Sequence, residues 1–91
     1  MIFIFSQRSK IGYVRYDYVD KKTLSVSIAV KEKYKRKGFG KLMLAKTLRK
    51  KEISKFNVIA SIKRNNFISK EFFLDAGFKF LSKNVYIYKK I

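Results

Sequence analysis

Histidine, cysteine, proline and tryptophan are all missing from this 91-residue chain, and only six residues are Asp or Glu. Each absence closes off a chemistry. Without Cys there is no disulfide frame, thiol nucleophile or Cys-ligated cluster. Without His, the Ser-His-Asp triad and the ordinary zinc site fall away too. Scattered carboxylates argue against a two-metal or glycosidase-type pair, so no metal is expected. Long apolar runs are also lacking. The longest, Met1–Phe5, is far too short to cross a bilayer. The N-terminus has no charged start, extended apolar stretch or small-residue cleavage site of a secretion signal. These absences predict a soluble, cytoplasmic protein with no membrane partner.

What is present is apolar and basic. Hydrophobic residues make up 47% of the chain and aromatics 16%, too much for a disordered basic tail. The length suits a single domain over residues 1–91. Lys and Arg total 23, giving a formal charge of +17. One reading of that charge is a nucleic-acid partner, through phosphate neutralisation and counterion release. Another is compositional. Lys outnumbers Arg 18 to 5, and Lys, Ile, Phe, Asn and Tyr all have A/T-rich codons. A small acidic ligand such as a pyrophosphate would benefit from the same field.

Hydrophobic periodicity orders the chain. Met1–Phe5 is apolar and Ser6–Lys10 is a polar break suited to a turn. Over Ile11–Val19, Ile11, Tyr13, Arg15 and Asp17 alternate with Val14, Tyr16 and Tyr18. Asp20, Lys21 and Lys22 make a second turn. Over Thr23–Val30, Leu24, Val26, Ile28 and Val30 form one face, and Thr23, Ser25, Ser27 and Ala29 the other. The first third therefore reads as an antiparallel meander. From Phe39 to about Lys51 the period becomes helical, with Leu42, Leu44, Ala45 and Leu48 on the apolar side. Phe56–Ile62 is a β-branched strand. Asn65 and Asn66 can cap a helix whose buried side is Ile68, Phe72, Phe73 and Ala76, and Gly77 sits where a left-handed terminator belongs. Phe78–Leu81 and Asn84–Tyr88 close the chain as strands. The order β-β-β-α-β-α-β-β predicts an α/β (α+β) fold. Its mixed, mostly antiparallel sheet has one parallel crossover around the central helix.

The segment between the third strand and the first helix carries the chemistry. Gly38 and Gly40 let the backbone turn and approach a ligand. The free N–H groups of the helix's first turn suit a phosphate, and Lys35, Arg36, Lys37 and Lys41 add positive charge.

Lys35-Arg36-Lys37-Gly38-Phe39-Gly40 resembles the Gln/Arg-x-x-Gly-x-Gly/Ala loop of the GNAT superfamily of acetyl-CoA-dependent N-acyltransferases. Ser27-Ile28-Ala29-Val30 is similar to that family's approach to the loop. Asn66-Phe67-Ile68-Ser69, then Phe73, Gly77 and Phe78, resemble its Asn-x-x-Ser-x-x-x-Tyr-x-x-x-Gly-Phe element. The resemblance runs from the family's second strand to its last, and implies a GNAT-like sheet with acetyl-CoA as co-substrate. Backbone N–H groups from Arg36 to Lys41, Phe39 included, would hold the pyrophosphate. Ile28 and Val30 would pair with the pantetheine arm as an added strand. Asn66 would touch the arm or cap the helix, with Phe73 beside it. The acetyl carbonyl would lie near the end of the Thr23–Val30 strand, where an N–H stabilises the oxyanion. An acceptor amine would attack directly, so no enzyme nucleophile is needed.

Three departures stand out. Lys35 replaces Arg or Gln, which keeps the charge and loses the fork geometry. Phe73 stands where many family members have a Tyr that protonates the leaving thiolate. Tyr34, Tyr86 and Tyr88 are substitutes to consider as acid, and Asp17 and Asp20 as base. Finally, the family's first strand and two helices, which form much of the acceptor pocket, have no counterpart, so a homodimer or partner chain could complete that site. The resemblance implies an N-acetyltransferase whose acceptor is a nucleotide-linked amino sugar or another small amine. Ile11-Gly12-Tyr13-Val14-Arg15 is similar to amino-sugar modules of the family. The alternatives are a CoA-binding remnant or partner subunit without turnover, and a basic nucleic-acid-binding module.

Overall fold

Period-two alternation in the first third of the chain folds as three antiparallel strands in a computed structural model, which describes residues 1–88. These are β1 (Ile2–Ser6), β2 (Lys10–Tyr18) and β3 (Thr23–Val30). A 3-10 turn (Glu32–Tyr34) leads into α1 (Phe39–Leu48) and a one-turn α2 (Lys51–Ser54). β4 (Asn57–Ser61), α3 (Phe67–Asp75), β5 (Phe78–Ser82) and β6 (Val85–Tyr88) follow. The six strands form one sheet in the order β1-β2-β3-β4-β6-β5. Only β3 and β4 pair in parallel, because the helical crossover lies between them. The helix expected to reach Lys51 breaks after Leu48. Lys50 is extended there and α2 restarts beyond it.

The core lies on one side of the sheet. Val14, Tyr16, Leu24, Val26, Val58, Ala60 and Tyr86 meet Met43, Leu44 and Leu48 of α1 and Ile53 of α2. The expected helical face shifts accordingly. Leu42 is 51% exposed, whereas Met43 and Thr47 are buried. A face of residues 43, 44, 47 and 48 follows i, i+4 spacing in both columns, and Thr47 fits because its hydroxyl donates to the Met43 carbonyl at 3.0 Å. Ile11, expected beside Tyr13 on the opposite face, is only 4% exposed within the core. The β1–β2 register slips between Phe5 and Ser6 and makes Ile11 the extra residue of a bulge, which re-aims its side chain. Ile68 is 84% exposed, because the first turn of α3 stands off the sheet, while Phe72, Phe73 and Ala76 pack against it. Asn66 caps α3 by accepting from the Ser69 N–H at 3.1 Å, and Gly77 is left-handed at φ 99°.

Sheet and helix are tied by one buried polar contact. The Tyr16 hydroxyl lies 2.7 Å from Thr47 Oγ1. Burial, opposed by that hydrogen bond, pushes the Tyr16 phenol up to about 12. The folded state therefore keeps this proton through a range where the unfolded chain, near 10, has lost it. The stabilisation is complete below about pH 10 and is lost as pH rises to about 12. Denaturant unfolding at pH 8 and pH 11.5 should show wild type losing about 2 kcal/mol more than Tyr16→Phe across that interval. At pH 8 the variant should cost about 1 kcal/mol.

Candidate functional site

The parallel ladder between β3 and β4 is short. It holds only Thr23 with Asn57, Leu24 with Val58 and Ser25 with Ile59. Beyond these pairs the strands diverge into a fork. Backbone parity shows what lines it. The Lys31 N–H bonds to the Ile11 carbonyl at 2.8 Å, and the Thr23 carbonyl accepts from Val19 at 2.9 Å, so odd-numbered residues of β3 address β2. The N–H and C=O of Ile28 and Val30 therefore face the fork, where no strand pairs with them.

At its wide end the fork meets the glycine loop. Arg36 (φ 63°) and Gly38 (φ 83°) are left-handed, and Gly38 caps α1 with no side-chain hydrogen bond. The first N–H groups of α1 are left without an intrahelical acceptor and point together at the loop. Gly40 sits under Phe72, and a Cβ there would lie 3.3 Å from Phe72 Cε1 and 3.6 Å from Val30 Cγ2. Tyr34 stands at this end, edge-on to Phe39, with its hydroxyl 3.2 Å from Ser9 Oγ. The Ser9 bond lowers the phenol below its ordinary 10, against slight desolvation and with help from Lys33 and Lys31.

Loop and fork enclose one cavity of about 760 Å³. The structure brings Ile28, Val30, Lys35, Arg36, Gly38, Phe39, Gly40, Lys41 and Phe73 together around it. Lys37 is exposed outside its lining, and Asn66 is occupied with the α3 cap. Sequence reasoning missed Ser61, Ser69 and Phe72, which also line it; Ser27, which it read as part of the strand's approach to the loop, lines it as well. The signal for Ser27 was present, as the last hydroxyl of the row Thr23, Ser25 and Ser27. Ser61 gave none, because its place depends on where β4 leaves β3. The substitute acids do not gather at the narrow end. Tyr34 is at the loop, Tyr86 is buried beside Phe80, and Tyr88 packs on Phe78. Asp17 is bonded to Arg15 Nε at 3.0 Å, and Asp20 accepts the Lys22 N–H at 2.8 Å. The one carboxylate lining the cavity among the described residues is Glu32, 3.7 Å from Lys35 Nζ at the loop end. Among the described residues no group of three or more Asp or Glu could hold a metal ion, and no helix is long and apolar enough to cross a membrane. A separate shallow depression lies at Tyr18, Asp20, Lys21 and Phe56, remote from the loop.

Comparisons with known proteins agree with this geometry. Residues 1–80 match the sequence model of the acetyltransferase (GNAT) domain. No curated protein matches the chain significantly. Among solved structures, the diaminobutyrate acetyltransferase of Paenibacillus lautus, solved with L-2,4-diaminobutyric acid and coenzyme A, superposes with a TM-score of 0.72 at 21% identity. The match covers 84% of this chain and 49% of that one. The PaiA N-acetyltransferase of Thermoplasma acidophilum, bound to coenzyme A, gives 0.71 at 22% identity over 94% of this chain and 58% of that one. A variant of the spermidine N-acetyltransferase of Vibrio cholerae gives 0.76 at 13% identity over 94% and 62%. These likenesses establish the fold. The chain spans only about half to three-fifths of the length of these structures.

The fork depends on a close approach of β2 to β3. A Cβ on Gly12 would run into the Ala29 carbonyl oxygen and lie 2.9 Å from Val30 Cα. Gly12→Ala should cost about 1–3 kcal/mol in denaturant unfolding, with amide shifts centred on Ala29–Lys31.

Proposed function

From the premise that this chain belongs to the GNAT acetyltransferase family, we propose that it binds acetyl-CoA in the β3–β4 fork and transfers the acetyl group to an amine. The observation that carries this reading is the unpaired backbone edge of Ile28 and Val30, running into a loop whose free N–H groups converge. An extended arm carrying amides can add to that edge as a strand. The N–H groups of residues 36–41, with Lys35, Arg36 and Lys41 around them, suit a pyrophosphate. The cavity volume of about 760 Å³ lies within the range of cofactor sites.

With phosphates at the wide end, the thioester falls toward the fork's apex rather than the strand's end. Ser27 and Ser61 flank that apex, and the Ile28 N–H is the nearest donor aimed into the fork without a strand partner. It would meet negative charge developing on the carbonyl oxygen. The amine's lone pair attacks the carbonyl carbon, a C–N bond forms, and the C–S bond breaks to release a thiolate. The ammonium loses one proton to solvent and the thiolate takes one. Among the described residues the carboxylate nearest the apex, Asp17, is bonded to Arg15, and the chain has no imidazole, so neither offers a ready carrier for these protons. The amine must therefore arrive uncharged, or lose its proton to water held by Ser27 and Ser61. A second reading, acetyl-CoA binding without turnover, is favoured by Phe73, which has no proton to give.

Calorimetry with acetyl-CoA, followed by thiol release on an amine panel, tests both readings. Micromolar binding is expected for wild type. Gly40→Glu should abolish it by filling the space under Phe72 with an anion. Phe73→Tyr should raise turnover about tenfold or more if a leaving-group acid is what the site lacks. The pH–rate profile should follow the acceptor's own amine pKa and shift when the acceptor is changed. No acetyl-CoA binding would sink the proposal, and binding with no thiol release on any amine would select the second reading.

A further inference from the structure

The sheet face opposite α1 carries no helix among the described residues. Register places Arg15 and Asp17 of β2, Ser25 and Ser27 of β3, Ile59 and Ser61 of β4 and Ile87 of β6 together on this face. The fork opens onto it at its apex, because Ser27 and Ser61 both line the cavity and both belong to the open face. Arg15 is the cross-strand partner of Ser27. Antiparallel partners on one face have Cβ atoms about 5 Å apart, within easy reach of a guanidinium. Arg15 is therefore the cationic side chain that the register places beside the apex on that side. Its Nε donates to Asp17 Oδ2 at 3.0 Å, a contact that leaves the Nη donors of the planar guanidinium uncommitted to Asp17. The side chain is half exposed. On the other flank, Ile59 and Ile87 are cross-strand partners and present an apolar surface.

We propose that the acceptor is an amine that also carries an anionic group, carboxylate or phosphate. Arg15 binds that anion while the amine sits at the Ser27–Ser61 apex. This rests on the acetyl-transfer reading above and names the substrate class of the same site. Two independent observations point the same way. The residues around the apex include no carboxylate other than Asp17, which is already bonded to Arg15, so nothing there offers a polycation a partner. The formal charge of +17 also repels polyamines and draws in anions over long range. Anion capture by Arg15 supplies orientation as well as affinity, since a guanidinium can hold carboxylate or phosphate through two parallel bonds.

The test uses size-matched amines with acetyl-CoA: 3-aminopropanoate, phosphoethanolamine, neutral ethanolamine and dicationic 1,3-diaminopropane. At least one of the two anionic amines should exceed both others in kcat/KM by about tenfold or more, and the comparison between them identifies the preferred anion. Arg15→Met should remove that preference mainly through KM, and Arg15→Lys should restore it only in part. Lys83→Met removes the same charge from the exposed β5–β6 turn and should keep the preference. A cationic or neutral preference in wild type overturns the proposal. So does an anionic preference that survives Arg15→Met, or one lost equally in Lys83→Met. If acetyl-CoA binds but no amine is turned over, NMR of the acetyl-CoA-saturated protein decides. Phosphoethanolamine or 3-aminopropanoate should then shift the Arg15 Nε and Ser27 amide signals, and the absence of any such shift overturns the proposal. Failure to bind acetyl-CoA at all sinks the acetyl-transfer reading instead, and the same titration on the protein alone then shows whether Arg15 captures anions.

Discussion

The parallel contact between β3 and β4 lasts three residue pairs and then fails, and the rest of the site depends on that failure. A longer ladder would pair the Ile28 and Val30 backbone, satisfy both strands and leave no cleft. Because the strands part, two residues of sheet edge remain with donors and acceptors facing an open space. Exposed edges invite pairing. Here the edge is sheltered at the bottom of a cavity, where an extended ligand can reach it and another sheet cannot easily do so. Phe72 and Phe73 of α3 line the fork, and Phe72 closes over Gly40 at its mouth.

The scaffold holding this fork is built from one side. Tyr16 and Thr47 fix α1 to β2 at the centre of the core. Around them, buried side chains from β2, β3, β4 and β6 meet α1 and α2. The opposite face keeps hydroxyls, Arg15 and a few half-buried apolar residues, a composition that tolerates water. One covered and one open face is a normal state for an antiparallel sheet. It gives the fork two mouths: the glycine loop on one side, where Lys35, Arg36 and Lys41 gather, and the serine-flanked apex on the other.

Much of this was legible in the sequence, and the parts that were not share a cause. Strands with sharp alternation, the Asn66 cap, the left-handed Gly77 and the loop glycines follow local rules that one segment satisfies alone. Tertiary placement decided the remainder. Leu42 has the right period for the core but lies one step off the face that Tyr16 selects. Ile68 continues the apolar side of α3 yet overhangs the fork. Ile11 turns inward because a bulge, set by the β1–β2 register, takes it out of phase. Among the site residues, Lys37 belongs to the loop in sequence but not to its concave side. Arg36 reaches the cavity through a left-handed backbone that no propensity would assign to Arg. Ser61 became part of the site only when β4 left β3.

The charge that dominates the composition now has a physical consequence. Only two ion pairs form among the described residues, Arg15 with Asp17 and Lys35 with Glu32, both on the surface. Such pairs contribute little. Several lysines instead lie over aromatic rings, as Lys50 does over Phe3 and Lys70 over Phe67. These contacts shelter cations without cancelling their charge. The folded chain therefore carries self-repulsion that expansion would relieve. A multiply charged anion seated at the glycine loop would lower that repulsion where Lys35, Arg36 and Lys41 concentrate it. Any ligand that binds the folded state alone stabilises it by mass action. In a chain this small and this basic, an anion bound at that loop would couple binding to folding, and the glycine turn would set where the fold gains stability from it.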